Sequence, residues 1–324
     1  MYRIIRILIF IYALDRWMLA DSVQVDCLNY ANDYQVLQSI GDILIDPPPN
    51  IPLHHESYAK FRKNMTVDML NIVGQESIPH TLLCLKTLRY LSIQNMPVNF
   101  NHIGSSIHAL IIENSTLIHF ASQLKRFTQL ESLTLSNTNL RYLPDTFRQL
   151  SALRYLSLAN NHLESLPDSI SQLYYLKELN LDNNPTLKSI EFIDGLSSLI
   201  RLHANHGSLT RLPTNLDHIE NLYLGHNKFT ELTGIEHLGK KSDKQKLFHF
   251  NNNQIRSIPP EIRLIKNLYR LDLDQNRLKM LPTYLKEVRS LRFLLIKGNP
   301  ITQSSLRNTI RYFEEEFREL KIKT

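Results

Sequence analysis

The chain has 324 residues, a formal net charge of +6 and 43% hydrophobic content. That apolar content suits a folded chain, and 14 Pro and 9 Gly are too few for a disordered one. Lys and Arg are scattered rather than massed on one stripe, which argues against nucleic acid and leaves a mild preference for acidic partners.

At the front, Arg3 and Arg6 precede an apolar run from Ile7 to Leu14. This is the layout of a candidate signal peptide over residues 1–20, with a cut after Ala20. Asp15-Arg16 interrupts the run, which is too short to span a bilayer. An N-terminal helix packed on the following chain is the other reading; the layout leans toward secretion over the cytosol. Residues 21–64 read as an N-terminal flank, where Val36, Leu37, Ile40, Ile43 and Leu44 predict a helix ended by Pro47-Pro48-Pro49. Cys27 and Cys84 are the chain's two cysteines. Outside the cell they would form a single bridge, and in the cytosol both would be small buried hydrophobes. Asn64-Met65-Thr66 and Asn114-Ser115-Thr116 have the form of glycosylation sequons.

From Leu88 onward a leucine lattice repeats. Leu130, Leu153, Leu176 and Leu199 stand 23 residues apart, and the same phase returns at Gln245, Leu268 and Leu291. One unit reads Leu153, Leu156, Leu158, Asn161, Leu163, Leu166, Pro167. The alternation at positions four and six is a short strand with one buried face. No unit can bury its apolar edge alone, so neighbours must stack. Units begin at Leu88, Ile107, Leu130, Leu153, Leu176, Leu199, Ile219, Gln245, Leu268 and Leu291, with a degenerate one at Val67, Leu70 and Ile72. Position nine is a structural ladder of Asn161, Asn184, Asn227, Asn253, Asn276 and Asn299, replaced by Met96, Ser115, Thr138 and Gly207 elsewhere. Its amide can bond backbone that the turn leaves unpaired. The arcs Ile107–Gln129 and Leu199–His218 break the pattern, and Gly239 to Lys244 should bulge as a basic loop.

These motifs resemble the leucine-rich repeat superfamily and its typical 23-residue variety. The Leu-Pro steps at Leu143, Leu166, Leu212 and Leu281, with Ile258-Pro259, are similar to those of the Ras-pathway scaffold type and its plant intracellular relatives. The implied fold is α/β, a right-handed solenoid curved like a horseshoe, with parallel concave strands, repeats over 65–303 and capping helices at both ends. The C-terminal cap, 304–324, rests on Ile310, Phe313, Phe317 and Leu320 at helical spacing; a partner-binding helix is its alternative.

The concave face would carry recognition of a protein partner by a monomer. Tyr and Arg anchor interfaces most often, which selects Tyr155, Arg201, His203, Tyr223, His249 and Arg270 as the partner-binding set. The eighth-position run Asn95, Asn114, Asn137, Asn160 and Asn183 reads as stacked amides, and His206 and His226 occupy the same position in neighbouring units. With His203 and His249 they form a His-rich region that could make binding respond to pH. Lacking a carboxylate or Cys at ligand spacing, it is expected to hold no metal. Walker, dinucleotide-binding, zinc-protease and nucleophile-elbow patterns are absent, so neither an enzyme nor a cofactor is expected. The expected function is non-catalytic protein recognition. The alternative is an intracellular signalling scaffold, or a regulatory subunit for an enzyme such as a small GTPase or phosphatase.

Overall fold

A computed structural model describes residues 33–40, 43–45, 58–61, 67–302, 304–307 and 321–323. They fall into two compact units, divided in sequence between Thr138 and Asn139.

The first unit opens with α1 (Asp33–Ile40), which buries Val36, Leu37 and Ile40. The helix stops there: Ile43 lies outside it and Leu44 begins β1 (Leu44–Ile45), so the expected helix is shorter than its apolar spacing implied. Pro47 to Pro49 lie outside the described residues. The Asp33 carboxylate accepts the Val67 amide at 2.7 Å and the Thr87 hydroxyl at 3.2 Å, which ties α1 to the first coils. β1 runs parallel to β2 (Tyr58–Phe61), and β2 runs antiparallel to β3 (Val67–Val73). β3 is the degenerate unit, with Val67, Leu70 and Ile72 buried.

The chain continues through β4 (Tyr90–Gln94), β5 (Val98–Asn99), β6 (Ala109–Glu113), β7 (Leu117–Ile118), α2 (Phe120–Gln123) and β8 (Ser132–Ser136). β3, β4, β6 and β8 pair in parallel, and the small β5–β7 ladder pairs separately. The irregular arc after β6 holds β7, α2 and a 3₁₀ turn at Leu124–Arg126. There Phe100 packs against Phe120 and Phe127, with ring centroids 5.1 Å and 6.1 Å apart.

In the second unit, β9 (Tyr155–Ser157), β10 (Glu178–Asn180), β11 (Arg201–His203), β12 (Asn221–Tyr223), β13 (Lys246–His249), β14 (Leu268–Asp272) and β15 (Phe293–Leu295) pair in parallel in that order. The lattice leucines are fully buried, among them Leu153, Leu158, Leu163, Leu176 and Leu179; each such side chain stabilises by about 1.5–3 kcal/mol. The arcs are 3₁₀ turns, and the imino acid explains where they begin. Proline fixes φ near −65°, and Pro167, Pro259 and Pro282 hold φ between −74° and −75° immediately before the turns Asp168–Gln172, Pro260–Leu264 and Thr283–Glu287. Leu212-Pro213 starts no such turn. In that 20-residue unit the Thr214 amide and hydroxyl instead donate to Asp194.

Two expectations are corrected here. Counting from flanking units puts Gln245 in the buried first position, but β13 bulges between Lys246 and Leu247. Lys246 therefore sits opposite Leu268 and is buried, while Gln245 is exposed. The Lys246 ammonium survives burial by donating to the Ser242 and Lys266 carbonyls, each at 2.8 Å. Burial still lowers its pKa, against the pull of Glu220 and Asp243. The bulged loop itself is tied down by a 2.6 Å Lys241–Asp217 ion pair.

The second correction concerns the C-terminus. Ser304 to Arg307 are helical, and Ile310, Phe313, Phe317 and Leu320 lie outside the described residues. Lys321–Lys323, however, form β16, parallel to β15, rather than the end of a helix. A strand answers the unpaired N–H and C=O groups of a sheet edge, which a helix cannot.

Candidate functional site

Parallel register decides which side chains share a face. In the second unit it aligns Tyr155, Glu178, Arg201, Asn221, Leu247, Arg270 and Phe293 in one column. The next column out runs Ser157, Asn180, His203, Tyr223, His249, Asp272 and Leu295. Both columns point away from the leucine core, since side chains alternate along a strand. Tyr155 is exposed and stands two strands from Arg201.

Register spacing suits planar rings, and here three of them stack. His203 lies on Tyr223 with centroids 4.5 Å apart and planes 16° off parallel. Tyr223 lies on His249 at 4.8 Å and 18°. A carboxylate closes each end of the stack. Glu178 accepts from Arg201 Nη1 at 3.1 Å, and its other oxygen lies 3.9 Å from His203 Nε2. Asp272 lies 3.5 Å from His249 Nδ1 and 3.7 Å from Arg270 Nη2. Burial would raise the Asp272 carboxyl. Hydrogen bonds from His249 and the Asp274 amide, with the charges of His249 and Arg270, outweigh it and hold the group below its usual range.

Five of the six residues selected from sequence, Arg201 through Arg270, thus join one row. Glu178 and Asp272 belong to it as well, so carboxylates that stand at no ligand spacing along the chain reach the histidines through register. The signal was present, since both stand in the aligned columns. It was missed because a search at ligand spacings along the chain does not see partners one repeat apart. Among the described residues no group of three or more His, Cys, Asp or Glu could hold a metal.

The turn after each strand supports this row. Its eighth position has positive φ throughout: Asn160, Asn183, His206, His226, Asn252 and Gln275 lie between 54° and 58°, and Gly298 at 74°. Left-handed backbone is tolerated best by Gly, Asn, Asp and His. This, beyond amide stacking, is why Asn fills the column. The amides also bond, as Asn183 Nδ2 donates to Asn160 Oδ1 at 2.9 Å. His206 and His226 stack at 4.0 Å and 14°. Burial against this neighbour, then the charge of His206, lowers the pKa of His226.

Behind the turn runs the position-nine ladder. Asn253 accepts the Phe229 amide at 3.1 Å and donates to the carbonyls of Leu224 and Phe250. Asn276 does the same for Ile255, Phe250 and Leu273, and Asn161, Asn184, Asn227 and Asn299 follow suit. Elsewhere in the chain, Cys84 is buried and disulfide-bonded; Cys27, Asn64 and residues 1–20 lie outside the described residues. Asn114 is exposed, with φ 51°.

A family model described as Leucine rich repeat matches residues 105–163, and one described as Leucine Rich repeats (2 copies) matches 151–195. Lumican of Gallus gallus is 30% identical over 112 residues, 34% of this chain and 33% of lumican, and lumican of Coturnix japonica matches to the same extent. The chain thus spans about a third of the length of these relatives. Among solved structures, a chain of the octameric complex of latrophilin 3, Unc5D and FLRT2, the last marked as its leucine-rich repeat part, superposes with TM-score 0.67. It shares 22% identity, over 79% of this chain and 83% of that one. The Drosophila Toll–Spätzle complex gives 0.61 at 19%, over 71% and 34%. An internalin of Listeria monocytogenes gives 0.57 at 20%, over 73% and 75%. The leucine lattice, the stacked parallel coils and the family models matching residues 105–163 and 151–195 agree that this chain carries leucine-rich repeats.

Proposed function

We propose that this chain recognises a protein partner, without catalysis, through the solvent face of the sheet in its second unit. The row His203–Tyr223–His249, flanked by Arg201 and Arg270, carries the reading. Stacked rings have few conformations left to lose, so binding costs little ordering on this side. Tyr155 adds an exposed aromatic anchor in the same sheet. The neighbouring folds support the reading, since FLRT2 and Toll are each found in complexes with other proteins. The disulfide at Cys84 favours an extracellular setting, in which Cys27 is its partner and residues 1–20 are removed.

The Leu-Pro arcs favour a second reading, an intracellular scaffold or regulatory subunit. Expression in eukaryotic cells with a C-terminal tag, followed by N-terminal sequencing of medium and lysate, separates the two. Once a partner is captured, Tyr155, Arg201, Tyr223 and Arg270 are each replaced by Ala. Stability should move by less than about 0.5 kcal/mol at Tyr155 and Arg201, and by about 1 kcal/mol at the stacked Tyr223. Affinity unchanged in all four variants removes this face from consideration.

A further inference from the structure

The two ends of the ring stack share an arrangement that plain recognition does not require. Each terminal carboxylate faces two cationic candidates, an arginine and an imidazole: Glu178 faces Arg201 and His203, and Asp272 faces Arg270 and His249. We infer that this face docks an acidic peptide segment, and that protonation of His203 and His249 strengthens docking by releasing Arg201 and Arg270 from Glu178 and Asp272. The inference rests on the recognition reading above and names its ligand chemistry.

Geometry explains why protons favour the exchange. While the imidazoles are neutral, each arginine is the only cation paired with its carboxylate among the described residues. A protonated His203 gains the negative face of Tyr223 on one side and Glu178 on the other. A protonated His249 gains the opposite face of Tyr223 and Asp272. Tyr223 keeps the two new charges apart. Arg201 has less to hold it, since its pair with Glu178 is 52% and 32% exposed, and ion pairs that open to water are weak; Arg270 and His249 both reach the same Asp272 oxygen, so a protonated His249 competes with Arg270 directly. Other charged groups nearby are already engaged. Asp182, after β10, accepts the amide and side chain of Asn205. Asp274, after β14, accepts the Lys297 amide. At the turns after β11 and β12, His206 and His226 lie 4.0 Å apart with nothing between them, so that pair resists a second proton and adds little charge.

The spacing sets the ligand. Arg201 and Arg270 stand three strand steps apart in one column, about 14 Å at sheet spacing. An extended peptide covers that distance in about four residues. The fitting segment therefore carries acidic side chains four residues apart.

The test is fluorescence anisotropy with a labelled Gly-Ser peptide bearing two Glu-Glu pairs four residues apart, which stay ionised at pH 5.5. The folded full chain should bind it roughly tenfold tighter at pH 5.5 than at pH 7.5. His203→Asn with His249→Asn should abolish that gain, so that the ratio of the two affinities falls to about one whatever the variant's affinity at pH 7.5; Asn180 shows that the column accepts Asn. Arg201→Ala with Arg270→Ala should remove binding at both pH values. Equal affinity at the two pH values, or a gain that survives the histidine pair, overturns the proton linkage. Absence of peptide binding at both overturns the acidic ligand. Neither result touches the recognition reading, which stands or falls with the captured partner and the alanine set.

Discussion

Asn253 takes an N–H from the coil before it and gives its own amide to carbonyls of two coils at once. Asn253→Ala strands those groups in the core and should cost roughly 2–4 kcal/mol in urea unfolding. The reverse exchange should also fail. Gly207 stands where the ladder expects Asn, yet a Cβ there would lie 2.8 Å from Asn227 Oδ1, which the Leu209 amide holds in place. Gly207→Asn should therefore destabilise the chain despite matching its neighbours. Lys246 supplies a second test. Its folded pKa is lowered by burial, so between that value and about 10.4 the unfolded chain holds the extra proton. Stability of the wild type should rise with pH through this window relative to Lys246→Met, measured by denaturant titration. The Asn ladder was legible because a buried amide recurs at a fixed phase. Lys246 was not, because periodicity says nothing of how a lengthened loop closes, and the bulge moves the register by one residue.

Turns and strands carry the next scale. Where the eighth position is His226, the folded pKa is lowered by burial and by His206. Below the unfolded value near 6.5 the unfolded chain binds more protons, so this turn's stability is lost as pH falls through the depressed folded value. His226→Asn keeps a residue suited to φ 55°. It should flatten the acid loss of melting temperature below about pH 6.5. Element positions were largely legible from leucine spacing, since β9 to β12 and the Pro-started 3₁₀ turns fall on the counted phase. The short arc after Leu212 was legible as a break in the pattern but not in its form, because there the Thr214 amide is held by Asp194 of the preceding coil. The ends of the ring stack also escaped. Glu178 and Asp272 are remote in sequence from each other and become related only through register.

At the scale of whole units, Lys321–Lys323 cover the outer edge of β15 in the second unit. Removing residues 321–324 bares the outer edge of β15. The shortened chain should associate edge to edge at concentrations where the full chain does not, as read by light scattering. The repeating turn has a consequence for how such a chain can change. The eighth position of each described coil is a left-handed socket, and these sockets hold Asn, His, Gln or Gly. The codons of Asn and His differ at a single base. A point substitution can therefore exchange an amide for an imidazole at the rim with no backbone strain and no disturbance of the leucines behind it. Proton-holding groups can accumulate or vanish along the rim one coil at a time, and selection can tune the edge of the sheet while the core that carries it stands still.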